Sequence, residues 1–322
     1  MPRLAKSTTA RADARLPLCF ALCLAGAGCG ATKPAAATPS PVSARPTQPK
    51  PPPPLGPIEV RDVGFETPES VLHDPRLDLY LVSNIDGSPL DLDDRAFISR
   101  LRPDGSIEQL KWIDAEDPAV RLDAPKGMAL VGDVLYVADV ASVRKFDRDS
   151  GKPLGAIEIP GATFINDVCA DADGTVYVSD SGIQGGFTPS GGDAIYKLTR
   201  DGQVSVLAKS QTLGRPNGLA LDGQGGVWVA TFGSGELLHL SAGGASSQSL
   251  APPKGSLDGV VVWERRLFVS SWEGSTVYER EGDSFVERVR GVAAPSDIGF
   301  DAKRKRLLIP LFYADALVIY PL

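Results

Sequence analysis

Six short segments of one pattern carry polar residues that could act together: PESV (68–71), PKGM (125–128), INDV (165–168), PNGL (216–219), LDGV (257–260) and PSDI (295–298). In each, a polar residue precedes a small or acidic one and then an apolar one. The polar position reads Glu69, Lys126, Asn166, Asn217, Asp258 and Ser296, at intervals of 57, 40, 51, 41 and 38 residues. Two carboxylates, two amides and a hydroxyl make an oxygen-rich set, and hard oxygens of this kind suit Ca²⁺, Mg²⁺ or Mn²⁺ rather than soft metals. Lys126 is the odd member. It could pair with Glu69 or Asp258, orient a substrate oxyanion, or stand where a cation would. Asn and Asp also cap backbone where strands begin, which is the structural alternative for Glu69, Asn166, Asn217 and Asp258.

The elements that must position these residues repeat with them. About ten residues after each segment comes a β-rich run: LYLVSN (79–84), LYVAD (135–139), VYVSD (176–180), VWVAT (227–231), LFVSS (267–271) and LLIPL (307–311). A third strand follows in all six units and a fourth in five, with turn signals such as PDG (103–105) and DADG (171–174) between them. Repeats of about 40 residues with four strands each describe a β-propeller blade. The expected fold is therefore all-β: a six-bladed β-propeller. The sixth unit stops after its third strand, so IEVRDVG (58–64) is expected to pair there and close the ring. First strands line a propeller's channel, so the six polar positions should meet at one mouth. Asn84, Asp139, Asp180, Thr231 and Ser271, at the ends of second strands, should form a tier around them. Two insertions, 84–94 and 181–193, should overhang the same mouth and make it a ligand site.

With the repeat and its ring in place, residues 58–322 resemble the senescence-marker-protein/gluconolactonase family, six-bladed propellers that include regucalcin. The resemblance implies one divalent cation at the channel mouth, held by Glu69 in PES, Asn217 in RPNG and Asp258 in LDG. Asn166 in IND would border the cation's water and the substrate. Ca²⁺ is the first candidate, with Mg²⁺, Mn²⁺ or Zn²⁺ as alternatives. The departures are Ser70, where the family carries a glycine, the missing family tryptophan nearby, and Lys126. The implied activity is metal-dependent hydrolysis of a small lactone or ester, in which the cation polarises the carbonyl and acidifies water. Asp258, or a neighbour such as Asp180, is the expected general base, and Lys126 or Asn166 would stabilise the oxyanion. The alternative is a non-catalytic propeller that binds a small ligand or a protein, since the fold implies no activity.

Charge and cysteine usage divide the chain. Residues 1–57 hold seven basic residues and one acid, which leaves residues 58–322 with 26 basic and 39 acidic residues, a net of −13. So acidic a body excludes nucleic acid as a partner, because binding phosphates needs basic surface. Arg3, Lys6, Arg11 and Arg15 precede an apolar run, Leu16 to Gly28, too short to span a bilayer but suited to a signal-peptide core. LAGAGCG resembles a lipoprotein signal, with Cys29 as the lipidated residue; cleavage after Ala27 is the alternative. The expected domains are a leader (1–29), a Pro/Ala-rich disordered tether (30–57) and the propeller (58–322). The chain should be exported and monomeric, touching the outer membrane only through a lipid anchor, or else be free in the periplasm or secreted. Cys169 alone in the body, with His73 and His239 the only histidines, excludes a disulfide scaffold and a multi-histidine metal centre.

Overall fold

Each second strand carries a continuous apolar run, LYLV, LYV, VYV, VWV, LFV or LLI, and such a run must be buried on both faces. The computed structural model describes residues 56–322 and shows how this is done. The expected leader with Cys29, and the tether up to residue 55, lie outside the described residues. Six four-stranded antiparallel sheets stand around a centre, and alternate residues of each second strand enter the two flanking interfaces. Leu81 packs with Leu135, Val137 and Phe146 between blades 1 and 2. Its neighbours Tyr80 and Val82 pack with Leu308, Leu317 and Ile319 between blades 6 and 1. Six of the apolar clusters each fill one gap between neighbouring blades.

The ring closes as expected. Ile58–Val60 pairs antiparallel with Ala316–Pro321, with Ile58 opposite Ile319 and Val60 opposite Leu317, so the sixth blade takes its outer strand from the start of the body. The first strands of blades 1 to 5 are Pro68–Asp74, Pro125–Val131, Ile165–Ala170, Pro216–Leu221 and Leu257–Trp263. Blade 6 differs from expectation. Its regular first strand is Gly299–Asp301, because PSDI is diverted: Pro295 and Ser296 still reach their own second strand, but Asp297 bridges in parallel to Ser70 of blade 1.

In the first five blades the pairing register breaks at the polar residue of the repeat. Such a bulge leaves a residue out of the ladder and turns its side chain. The freed backbone groups are met locally. Ser83, Ser179 and Ser270 Oγ accept from the N–H of Ser70, Asp167 and Gly259 at 2.9, 2.9 and 2.8 Å.

The following residues, Ser70, Gly127, Asp167, Gly218, Gly259 and Asp297, pack blade against blade. A Cβ on Gly127 would stand 1.8 Å from Asp167 Oδ1, so the aspartate occupies the space the glycine leaves. Asp167 Oδ2 accepts from Leu219 N–H at 2.6 Å, tying blade 3 to blade 4, and Ser70 Oγ donates to Asp297 Oδ2 at 2.5 Å, tying blade 1 to blade 6. The Ser70 hydroxyl is thus part of this seam.

At the far end of the channel, Arg148 Nε donates to Asp74 Oδ2 at 2.8 Å and its Nη2 to Oδ1, linking blades 2 and 1. Burial alone would raise the Asp74 carboxyl. The arginine and the N–H groups of Leu77 and Arg76 outweigh burial and hold it below the usual range. A depressed carboxyl stabilises the fold above its unfolded pKa and loses that contribution as pH falls through its folded one. Arg148→Met should therefore cost about 1–3 kcal/mol at neutral pH, and the loss should shrink in acid; urea melts at two pH values check both.

Candidate functional site

The bulges aim five of the six repeated polar side chains into one cavity of about 110 Å³. Glu69, Lys126, Asn166, Asn217 and Asp258 line it. All five are buried, between 1% and 5% exposed. Ser296 is not among them: its hydroxyl donates to the Pro68 carbonyl at 3.1 Å and holds blade 6 to blade 1.

Glu69 Oε2, Asn166 Oδ1, Asn217 Oδ1 and Asp258 Oδ1 are each buried without a hydrogen-bond partner. Native interiors leave few such atoms, and each one calls for a missing partner. Among the described residues no three His, Cys, Asp or Glu side chains group as a metal site; here two carboxylates are completed by two amides, a hard-oxygen set. The donor set thus fits a hard divalent cation.

The electrostatics agree. Burial, then the charges of Asp258 and Asp297, pushes the Glu69 carboxyl well above its ordinary range, while Lys126 pulls it down. Burial and then Asp297 raise Asp258 in the same way. The Trp272 indole N–H, itself buried and without a hydrogen-bond partner, sits by Asp258 and acts in the opposite direction. Asp297 is pushed by burial to about 7, with the Ser70 hydroxyl opposing. Negative groups crowded out of water favour a bound cation.

Lys126 does not take the cation's place on the carboxylates. Its Nζ donates to the Ala124 carbonyl at 2.8 Å and lies 4.6 Å from the centre of the Phe164 ring. Burial lowers it to about 8, with Glu69, Asp139 and Asp123 acting against the fall.

The expected tier is present but turned to another task. Asp180 accepts from the N–H groups of Thr163, Phe164 and Gly182, each at 3.0 Å, so it is fully engaged and is not available as a general base. Asp139 accepts from Asp123 and Ala124 N–H at 3.1 and 2.7 Å, and Asn84 from Glu66 N–H at 3.2 Å. Ser271 donates to the Gly255 carbonyl at 2.8 Å, while Thr231 accepts from Glu236 N–H at 2.9 Å within its own turn. Four of these five anchor the loop that leads into their blade's first strand, and so fix where the ring residue points. The two histidines lie elsewhere, His73 against Asp78 and His239 against Asp222.

Both insertions overhang the mouth. Ile85 and Pro89 come from the first, and Ser181, Ile183 and Phe187 from the second. The walls, however, include Phe164, Phe232, Trp272 and Phe312, which the polar pattern does not mark. A positional signal exists: Ile85, Ser181, Phe232, Trp272 and Phe312 each directly follow the last residue of a second strand.

No protein-family model and no curated protein matches the chain. Among solved structures it is similar to a gluconolactonase from Xanthomonas campestris, with 20% identity over 82% of this chain and 89% of that one and a TM-score of 0.64. It is also similar to a catalytically inactive virginiamycin B lyase from Staphylococcus aureus, at 12% identity over 83% and 99% of the two chains, TM-score 0.55. A chain of a nidogen/laminin complex matches at 17% identity over 67% and 76%, TM-score 0.54. At these identities the likeness is one of fold: the chain is a six-bladed β-propeller whose backbone follows that of a gluconolactonase.

Proposed function

We propose that the chain is a metal-dependent hydrolase of a small lactone or ester, acting at the propeller mouth. The observation that carries this reading is the set of four buried, unpartnered oxygens facing one cavity. Each unmet group costs about 1–3 kcal/mol, and one hard cation would satisfy them together. Glu69, Asn217 and Asp258 would hold it, with Asn166 at its border, and Ca²⁺ is the first candidate. The likeness to a gluconolactonase adds support. When bound, such a cation supplies Lewis acidity, which polarises an ester carbonyl and acidifies water.

The chain's own groups handle the protons. A water oxygen bonds to the carbonyl carbon, and Asp258 takes the proton that the water releases. The bond from the carbonyl carbon to the alkoxide oxygen then breaks, and the alkoxide takes the proton back from Asp258. The products are an alcohol and a carboxylic acid, joined in one molecule when the substrate is a lactone, and the acid ionises in water. The developing oxyanion is met by the Lys126 ammonium and the Asn166 amide. With the leader expected at residues 1–29, the reaction would run outside the cytoplasm.

A panel of lactones and esters, run on chelator-treated protein with and without Ca²⁺, tests the proposal. Cation-restored turnover is expected in the wild type, with roughly 10²-fold less in Asn217→Ala. Cation binding without turnover of any substrate would instead make the chain a ligand-binding propeller.

A further inference from the structure

The charged and amide side chains of the mouth are the five ring residues, and the proposed reaction and its cation use them. What remains to recognise the body of a substrate is the wall. On one side Trp272 packs against Phe232, Phe312 and Tyr313, with ring centres 5.3, 5.1 and 5.5 Å apart. Ile183 and Phe187, from the second insertion, line the same cavity. Tyr313 is 77% exposed and Phe187 51%, so large apolar faces stand open at the rim and continue the wall outward. The hydroxyl on the wall, that of Ser181, already donates to the Pro216 carbonyl.

A polyhydroxylated ring buried here would lose water from each hydroxyl and find on these walls only the Trp272 indole N–H as a free partner. An apolar group would instead displace water from aromatic faces that are already packed in place. The cavity, about 110 Å³ and open at the mouth, takes a reactive head, while a longer body would lie along the aromatic rim.

Resting on the hydrolase reading, we propose that the substrate is a lactone or ester with an apolar body, alkyl or aryl, and not a sugar lactone. The aromatic group Phe232, Trp272, Phe312 and Tyr313 selects it.

Calorimetric binding of δ-valerolactam and its pentyl-substituted homologue, neither of which the reaction cleaves readily, isolates recognition from turnover. Rates on δ-valerolactone, δ-decalactone and gluconolactone supply the second readout. The pentyl lactam should bind at least tenfold tighter than δ-valerolactam, and that preference should fall severalfold in both Trp272→Ser and Phe312→Ser. Tyr313→Ser, at an exposed position, keeps the test open if either of those fails to fold. The specificity constant should rise at least tenfold from δ-valerolactone to δ-decalactone. Tail preference in lactam binding with no lactone cleaved would overturn the hydrolase reading while leaving the wall's selection of an apolar ligand standing. Equal binding of the two lactams, or a preference for gluconolactone, would overturn the inference.

Discussion

Asp258→Asn is expected to lower hydrolysis by roughly 10²–10⁴-fold, the range for loss of a positioned general base, while making the metal-free chain more stable. The two effects have one cause. Asp258 is buried beside Asp297, and Glu69 is raised in turn by both. An asparagine removes one charge from this crowd and keeps the shape. Thermal melts of chelator-treated protein should show the variant melting above the wild type. With Ca²⁺ at a hundredfold excess over its Kd, the wild type should gain about 2.7 kcal/mol and the variant much less. An inactive variant that is also less stable without cation would mean that Asp258 serves the fold. Full activity would remove it from the mechanism.

Gly259→Ala should be among the most damaging single methyls in the body. Its Cβ would lie 2.2 Å from Ile298 N, 2.6 Å from Asp297 Cα and 2.7 Å from Asp297 Oδ1. Two of these atoms are backbone of the neighbouring blade, which no rotamer change can move. The expected cost is above about 3 kcal/mol, beyond the usual range for overpacking, or of order 10 °C in Tm. Because Gly259 follows Asp258, the displaced strand should also disturb the cavity. Gly185→Ala is the control, with nothing within 4 Å of its added Cβ, and should stay within about 0.5 kcal/mol of wild type. Equal melts for the two variants would show that the blades do not meet as closely as the strands indicate.

The blades were legible because each second strand must be buried on both faces, and a run such as LYLV followed by a turn states that locally. The closing strand was legible because the sixth unit lacks an outer partner. Convergence of Glu69, Lys126, Asn166, Asn217 and Asp258 followed from the repeat alone. Asp180 was misjudged because its role depends on backbone N–H groups some sixteen residues earlier, met only when the loop folds back. The diversion of PSDI depends on Ser70, far away in sequence, through the Ser70–Asp297 hydrogen bond. Phe232, Trp272 and Phe312 were passed over because an aromatic residue after a strand looks like ordinary core until its loop is seen to face a mouth.

The proposed function requires one divalent cation on Glu69, Asn217 and Asp258. Calorimetric titration of Ca²⁺ into the chelator-treated protein, wild type beside Glu69→Gln, tests it most directly, because the substitution keeps the side chain's size and removes one ligand charge. One site per chain is expected in the wild type and at least roughly tenfold weaker binding in the variant, in line with the loss of a charged ligand. No binding of Ca²⁺, Mg²⁺, Mn²⁺ or Zn²⁺ by the wild type, or equal binding by both proteins, would contradict it.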